Sequence, residues 1–168
     1  MTNYTTSTIQ LYTLLVIFIV VFIYQIRCTM NGCKKKNLLQ KNRTLKKLKK
    51  LSWDDFERLC MELFQKEGWK VTGNEKKGAD GGVDIWMKKK SFTKKNISAI
   101  VQCKRYDDAL VTIKVIREMF GLMHEHNVTE VYIVTTSRFT KECHNFIKGK
   151  KITLIDGEKL LKMIHKTT

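Results

Sequence analysis

The sequence contains no proline, and its nine glycines follow no repeat. Collagen-like and proline-rich linker architectures are therefore excluded. Its five cysteines are an odd number without paired spacing, which disfavours a disulfide-stapled secreted domain. Acidic residues are absent before Asp54. The 168 residues, of which 43% are apolar and 29% charged, suffice for one folded domain of ordinary size and not comfortably for two.

Basic residues outnumber acidic residues, most strongly in the first third of the chain. Lys and Arg number 32 against 16 Asp and Glu, so the formal net charge is +16. Ten of the basic residues lie in residues 27–50, and the other 22 share residues 51–168 with all 16 acidic residues. This excess predicts a polyanionic partner, either nucleic acid or an anionic lipid surface.

Residues 9–26 form an apolar segment without a single charge. As a helix it would be about 27 Å long, close to the hydrocarbon thickness of a bilayer. Tyr12 and Tyr24 lie near its ends, and the basic run follows directly, which predicts that the C-terminal side faces the cytoplasm. The segment lacks the basic start and small-residue cleavage site of a signal peptide. A buried core helix is the remaining alternative, and we expect residues 1–27 to be a short tail and one transmembrane helix.

Residues 28–50 are interpreted as a basic juxtamembrane linker. Two forms of this linker remain open. In one, leucines line one side of a basic amphipathic helix that binds anionic lipid. In the other, the segment is a solvated spacer. The five leucines concerned are Leu38, Leu39, Leu45, Leu48 and Leu51.

The pattern of residues 51–168 predicts one α/β domain with a mixed β-sheet flanked by helices. Ser52 and Asp55 resemble a capping box at the start of the first helix. The predicted helices span 52–67, 112–125, 138–148 and 157–165, and the predicted strands span 69–72, 83–87, 97–104, 130–135 and 152–155.

Polar residues interrupt two of these apolar strands. Asp84 lies in the second strand, and Gln102 and Lys104 project from one face of the third. If the two strands form a hairpin, Asp84 can face Gln102, and Glu57 in the first helix is a further candidate for the same place. A carboxylate, an amide oxygen and a lysine suit phosphodiester hydrolysis with Mg²⁺, because hard oxygen ligands hold this ion and an ammonium offsets developing negative charge.

Four ordered stretches carry a resemblance to a known family. They are GADGGVDI at 78–85, VQCKRY at 101–106, VTTSRFT at 134–140, and LIDG at 154–157 followed by Leu160. Together they closely resemble the Mrr-type catalytic domain of restriction endonucleases, a branch of the PD-(D/E)xK nuclease superfamily. The resemblance extends over about residues 51–165.

The resemblance implies a restriction-endonuclease-like fold and metal-dependent cleavage of DNA. Asp84 would then be the metal-binding acid and Lys104 the catalytic lysine. Gln102 stands where most of the superfamily has Asp or Glu, so one formal negative charge is missing although the amide oxygen can still bind a cation. Glu57 would match the acidic residue that many relatives carry on the first helix. Asp84, Gln102 and Glu57 are the expected metal ligands, for Mg²⁺ or for Mn²⁺ in its place.

Further basic residues are candidates for DNA binding. Lys88, Lys89 and Lys90 crowd the predicted hairpin tip, and Arg105 and Tyr106 follow Lys104. A charged turn is more often simply solvated, so both interpretations stay open for the lysines.

The leading hypothesis is a membrane-anchored, single-pass DNA endonuclease with its catalytic domain in the cytoplasm, and the resemblance suggests restriction of foreign DNA. No separate DNA-reading domain is evident, and no small-molecule cofactor is expected. A homodimer would account for double-strand cuts, since one site cuts one strand. The alternative hypothesis is a catalytically inactive, membrane-tethered nucleic-acid-binding module.

Overall fold

The computed structural model describes residues 14–23, 38–73, 82–90 and 96–167. The chain divides into two units, Met1–Lys36 and Asn37–Thr168. In the first unit, residues 14–23 form helix α1, whose apolar side chains are exposed. Among the described residues no helix is both long and apolar enough to cross a membrane. The other residues of the predicted span 9–26 lie outside the described ranges, so the span stays a prediction.

The second unit is a mixed sheet with helices on both faces, as predicted. Its five strands lie in chain order across the sheet, with the first three antiparallel and the last three parallel. The elements are α2 (Leu38–Lys41), α3 (Leu45–Lys49), α4 (Trp53–Lys66), β1 (Lys70–Gly73), β2 (Ile85–Lys89), β3 (Ile97–Lys104), α5 (Ile113–Glu125), β4 (Glu130–Thr135), α6 (Lys141–Phe146), β5 (Ile152–Ile155) and α7 (Gly157–Thr167).

Element boundaries follow local chemistry. Ser52 caps α4 by accepting a hydrogen bond from the Asp55 amide at 3.1 Å, as the sequence predicts. After α4, Gly68 adopts φ +84°, a conformation that glycine tolerates at the end of a helix. The strands at 130–135 and 152–155 and the third strand at 97–104 coincide with the prediction. Helix α6 is shorter than predicted, covering Lys141–Phe146 instead of 138–148.

Two separate apolar clusters cover the two faces of the sheet. One cluster joins α4 and α7 to the side chains of Ala99, Val101 and Cys103 on β3. The other joins α5 and α6 to Ile100 on the same strand. Because side chains alternate along a strand, Gln102 and Lys104 project toward the face covered by α5.

The folded unit begins earlier than the predicted boundary at residue 51. Leu39 of α2 and Leu48 of α3 are fully buried in the cluster that contains α4 and α7. Arg105 also donates a hydrogen bond to the backbone oxygen of Lys49 at 2.7 Å. Residues 38–50 are thus part of the domain, whereas the prediction assigned them to the linker. The lysines between these leucines made the segment look like a solvated linker, because they form the charged, exposed side of each short helix.

Candidate active site

The hairpin of β2 and β3 places Asp84 beside Gln102. In this antiparallel pair Ile85 lies opposite Val101. The same register therefore places Asp84, the residue before Ile85, opposite Gln102, the residue after Val101. The Asp84 amide continues the ladder by donating to the Val101 carbonyl at 3.0 Å. Asp84 precedes β2 instead of lying inside it, but it faces Gln102 as predicted.

Two short hydrogen bonds hold the Asp84 carboxylate. Gln102 Nε2 donates to Asp84 Oδ2 at 2.7 Å, and the Cys103 amide donates to the same oxygen at 2.6 Å. Burial raises the pKa of Asp84, while the Cys103 amide, the positive charge of Lys104 and the Gln102 amide each act to lower it. The cost of desolvation therefore exceeds the help from these three partners.

Lys104 completes this group of side chains. It lies two residues after Gln102 on β3, so its side chain projects from the same face of the strand. Its positive charge acts to lower the pKa of Asp84. The backbone that carries Lys104 is held by β4, where Thr135 Oγ1 donates to the Lys104 carbonyl at 2.7 Å. Thr136 Oγ1 donates to the Tyr106 carbonyl at 2.6 Å in the same way. Both threonines belong to the stretch at 134–140, to which the sequence alone assigned no role.

Glu57 approaches the strand from its other face. Helix α4 covers the face of the sheet into which Cys103 projects, opposite to Gln102. The pKa of the Cys103 thiol is raised well above its usual value by a hydrogen bond with Cys60 and by burial, and also by the nearby negative charges of Asp84 and Glu57. Glu57 therefore lies near Cys103, and its role as a metal ligand stays a prediction.

The oxygen atoms around Asp84 have the chemistry that a hard divalent cation requires. Both hydrogen bonds from described residues end on Oδ2. Gln102 uses its amide nitrogen for Asp84, so its Oε1 remains directed elsewhere, toward Gly82. Carboxylate and amide oxygens are typical Mg²⁺ ligands. Within the described ranges, however, no three His, Cys, Asp or Glu side chains gather in a way that would hold a metal ion.

The basic run of Lys88, Lys89 and Lys90 lies at the far end of the hairpin. Asp84 stands at the start of β2 and these lysines at its end, about 14 to 20 Å away at roughly 3.4 Å per residue. All three are exposed, and Lys89 Nζ also donates to the Glu67 carbonyl at 3.1 Å. The run is therefore not next to Asp84, although contact with DNA at a distance stays a prediction.

Arg105 and Tyr106 are engaged within the protein. Besides its bond to Lys49, Arg105 stacks its guanidinium 5.7 Å from the ring centre of Trp53 and reaches Asp107 at 3.3 Å. The Tyr106 ring meets the same tryptophan edge to face. These contacts connect the segment after β3 to α3 and α4. A contact of Arg105 or Tyr106 with DNA stays a prediction.

Residues 48–164 match the family model described as restriction endonuclease, the Mrr-type catalytic domain. This match covers more than half of the chain. The chain belongs to the Mrr-type restriction endonuclease family. The resemblance predicted from the four ordered stretches is therefore confirmed. No curated protein matches the chain.

The fold of this Mrr-type domain is similar to that of solved structures. The DNA modification-dependent restriction endonuclease AspBHI superposes with a TM-score of 0.60 at 15% identity, over 77% of this chain and 34% of AspBHI. A protein of unknown function gives 0.50 at 15% identity, over 63% of each chain. MspJI restriction endonuclease, in complex with a 27-mer oligonucleotide, gives 0.49 at 18% identity, over 64% of this chain and 26% of MspJI. This chain thus spans about a third of AspBHI.

Proposed function

We propose that this protein is a metal-dependent endonuclease that hydrolyses phosphodiester bonds in DNA, with a role in restriction of foreign DNA. The observation that carries the proposal is the group formed by Asp84, Gln102 and Lys104, in which Gln102 Nε2 lies 2.7 Å from Asp84 Oδ2. This group occurs in a chain of the Mrr-type family.

Each member of the group has a distinct part in the proposed reaction. Asp84 and the Oε1 atom of Gln102 would hold Mg²⁺, or Mn²⁺ in its place. When bound, the ion would act as a Lewis acid that polarises the phosphoryl oxygen and makes the attacking water more acidic. The Lys104 ammonium orients the attacking water and offsets the negative charge that develops on phosphorus-bound oxygens. Water adds to phosphorus, one ester P–O bond breaks, and the departing oxygen takes a proton.

A plasmid assay tests this proposal. The full chain in detergent micelles should nick supercoiled DNA with Mg²⁺ and stop when EDTA is added. Asp84→Asn and Lys104→Ala should each lower the rate at least about 100-fold. Lys162→Ala, an exposed lysine of α7, should leave it unchanged and serves as the matched control. Equal nicking by all four proteins would contradict the proposed site.

A second candidate function is a catalytically inactive module that binds nucleic acid. It is favoured by the neutral Gln102 and by the absence of a three-member ligand group among the described residues. This module would bind DNA in a salt-sensitive way and would keep that binding in Asp84→Asn. Metal-dependent cleavage by the wild-type protein would eliminate it.

We propose further that residues 9–26 span the membrane once and leave the catalytic domain in the cytoplasm. The support is the uncharged apolar segment and the ten basic residues at 27–50. The protein should then stay in the membrane pellet after alkaline extraction. Protease should digest the domain in inside-out vesicles and spare it in right-side-out vesicles. Release by alkali would contradict the anchor, and the reverse protease pattern would contradict the orientation.

A homodimer is the proposed arrangement for double-strand cutting, because each site cuts one strand. Linear product should then rise more steeply than in proportion to protein concentration, while nicking rises in proportion. A linear product that is strictly proportional to protein would contradict dimerisation.

A further inference from the structure

Gln102 leaves the proposed ion site one carboxylate short. Asp84 supplies one negative charge, and Gln102 supplies a neutral oxygen. Helix α4, which carries Glu57, covers the opposite face of the sheet. Helices α5 and α6 pack on the side of Gln102, and α5 carries a carboxylate close to it.

Glu118 on α5 meets this requirement. It stands between Ile116 and Met119, which are fully buried against the α5 face of the sheet, but its own side chain is exposed. Within the described ranges, neither Lys114 one turn earlier nor any other residue forms an ion pair or hydrogen bond with its carboxylate. Among the described residues, no partner occupies this carboxylate.

Gly82 shows how close this carboxylate comes to Gln102. A Cβ atom on Gly82 would lie 2.9 Å from Gln102 Oε1 and 3.5 Å from Glu118 Oε1. Both oxygens thus border the same small space, which stays open because residue 82 has no side chain. Gly82 also has φ +101°, which other residues rarely adopt. The amide oxygen that Asp84 does not use is directed into this space.

We propose that Glu118 is a ligand of the divalent ion, supplying the second carboxylate beside Asp84 and the Gln102 amide oxygen. This inference rests on the proposed metal-dependent function and deepens it. Three protein oxygens leave room for the waters and phosphate oxygens that Mg²⁺ retains in nuclease sites. Glu118 would supply its carboxylate to this ion from the α5 side of the space at Gly82.

Binding of Mn²⁺ alone, followed by electron paramagnetic resonance, tests the proposal without relying on cleavage. The full chain in micelles is titrated as wild type, Glu118→Gln, Asp84→Asn and the control Glu125→Gln. Glu125 is an exposed glutamate of the same helix, two turns further on. Glu118→Gln should weaken Mn²⁺ binding at least 10-fold, and Glu125→Gln should change it less than 2-fold. Metal-free thermal melts establish that each variant is folded.

A rescue variant separates a ligand from a merely structural residue. Gln102→Glu restores a carboxylate beside Asp84, so adding it to Glu118→Gln should recover most of the lost Mn²⁺ affinity. If Asp84→Asn abolishes binding and Glu118→Gln binds like the wild type, the role of Glu118 is overturned and the proposed function stands. If the wild type neither binds Mn²⁺ nor cleaves plasmid, both fall together.

Discussion

The Asp84 carboxylate is partly buried, and burial makes its negative charge unfavourable. Its pKa is raised because burial outweighs the hydrogen bonds from Cys103 and Gln102 and the attraction of Lys104. A site of this kind favours binding of a cation, because a divalent ion offsets the cost of the buried charge. Because folding raises this pKa, the free energy of unfolding should depend on pH, and this dependence can be measured without substrate.

We expect Asp84→Asn to raise the free energy of unfolding in metal-free buffer at neutral pH. The asparagine oxygen still accepts the Cys103 amide, and the buried charge is gone. A carboxyl whose pKa is raised by folding adds stability below its unfolded pKa, near 3.9, and loses it as pH rises through the folded pKa. The advantage of the variant should therefore shrink as pH falls toward about 4, by about 1.4 kcal/mol for each unit of pKa shift.

Denaturant unfolding with EDTA at a series of pH values measures this effect. Glu125→Gln, an exposed change on α5, should show no such pH-dependent difference from the wild type. A wild type that gains stability relative to Asp84→Asn as pH rises would mean that the pKa of Asp84 is lowered by folding.

At the scale of elements, the short helices before α4 belong to the core. Leu48 of α3 is fully buried with residues of α4 and α7. Leu48→Ala should lower the free energy of unfolding by about 2–5 kcal/mol, because it removes a buried side chain and leaves a cavity. Leu110→Ala is the matched control, since Leu110 is 49% exposed, and should cost less than about 0.5 kcal/mol. Equal effects of the two changes in denaturant unfolding would place α3 outside the core.

Two glycines give a second prediction about elements. A Cβ on Gly157, the first residue of α7, would lie 2.6 Å from the Thr136 carbonyl oxygen and 2.6 Å from Leu45 Cδ1. Gly157→Ala should therefore destabilise the protein by about 1–3 kcal/mol, since a backbone oxygen cannot move aside cheaply. Gly121 in α5 has nothing within 4 Å of such a Cβ. Gly121→Ala should stabilise the protein by up to about 1 kcal/mol, and thermal melts with the opposite order would contradict this packing.

At the scale of the whole molecule, the charge of the folded unit favours a polyanion. From residue 37 onward the chain has 28 basic and 16 acidic residues. The logarithm of the DNA-binding constant should therefore fall linearly with the logarithm of salt concentration. Replacing Lys88, Lys89 and Lys90 together by Ala should reduce that slope by about 1 for each lysine that contacts a phosphate. Ala at both Lys162 and Lys166 of α7 is the control. An unchanged slope in fluorescence anisotropy, measured with EDTA, would exclude the hairpin lysines from the interface.

Local patterns were enough to predict most of the fold. Apolar runs of four to eight residues predicted β3, β4 and β5 at their observed bounds, because a strand buried on both faces needs no alternation. Helix α4 was recognisable from its cap and its apolar spacing. Residues 38–50 were not, because burial of Leu39 and Leu48 depends on partners in α4 and α7 that are distant in the chain.

Ordered motifs and strand periodicity are local properties, so the family, the order of the elements from α4 onward, and Asp84, Gln102 and Lys104 as candidate residues could all be predicted without coordinates. The atoms that meet around Asp84, and the helix that packs beside them, could be read only from the fold. Tertiary packing directs Gln102 Nε2 to Asp84 and separates the hairpin lysines from Asp84 by the length of β2. It also places Glu118 Oε1 3.5 Å from the position that a Cβ on Gly82 would take. These relations depend on register and on the packing of helices against the sheet, which are set by contacts between distant residues.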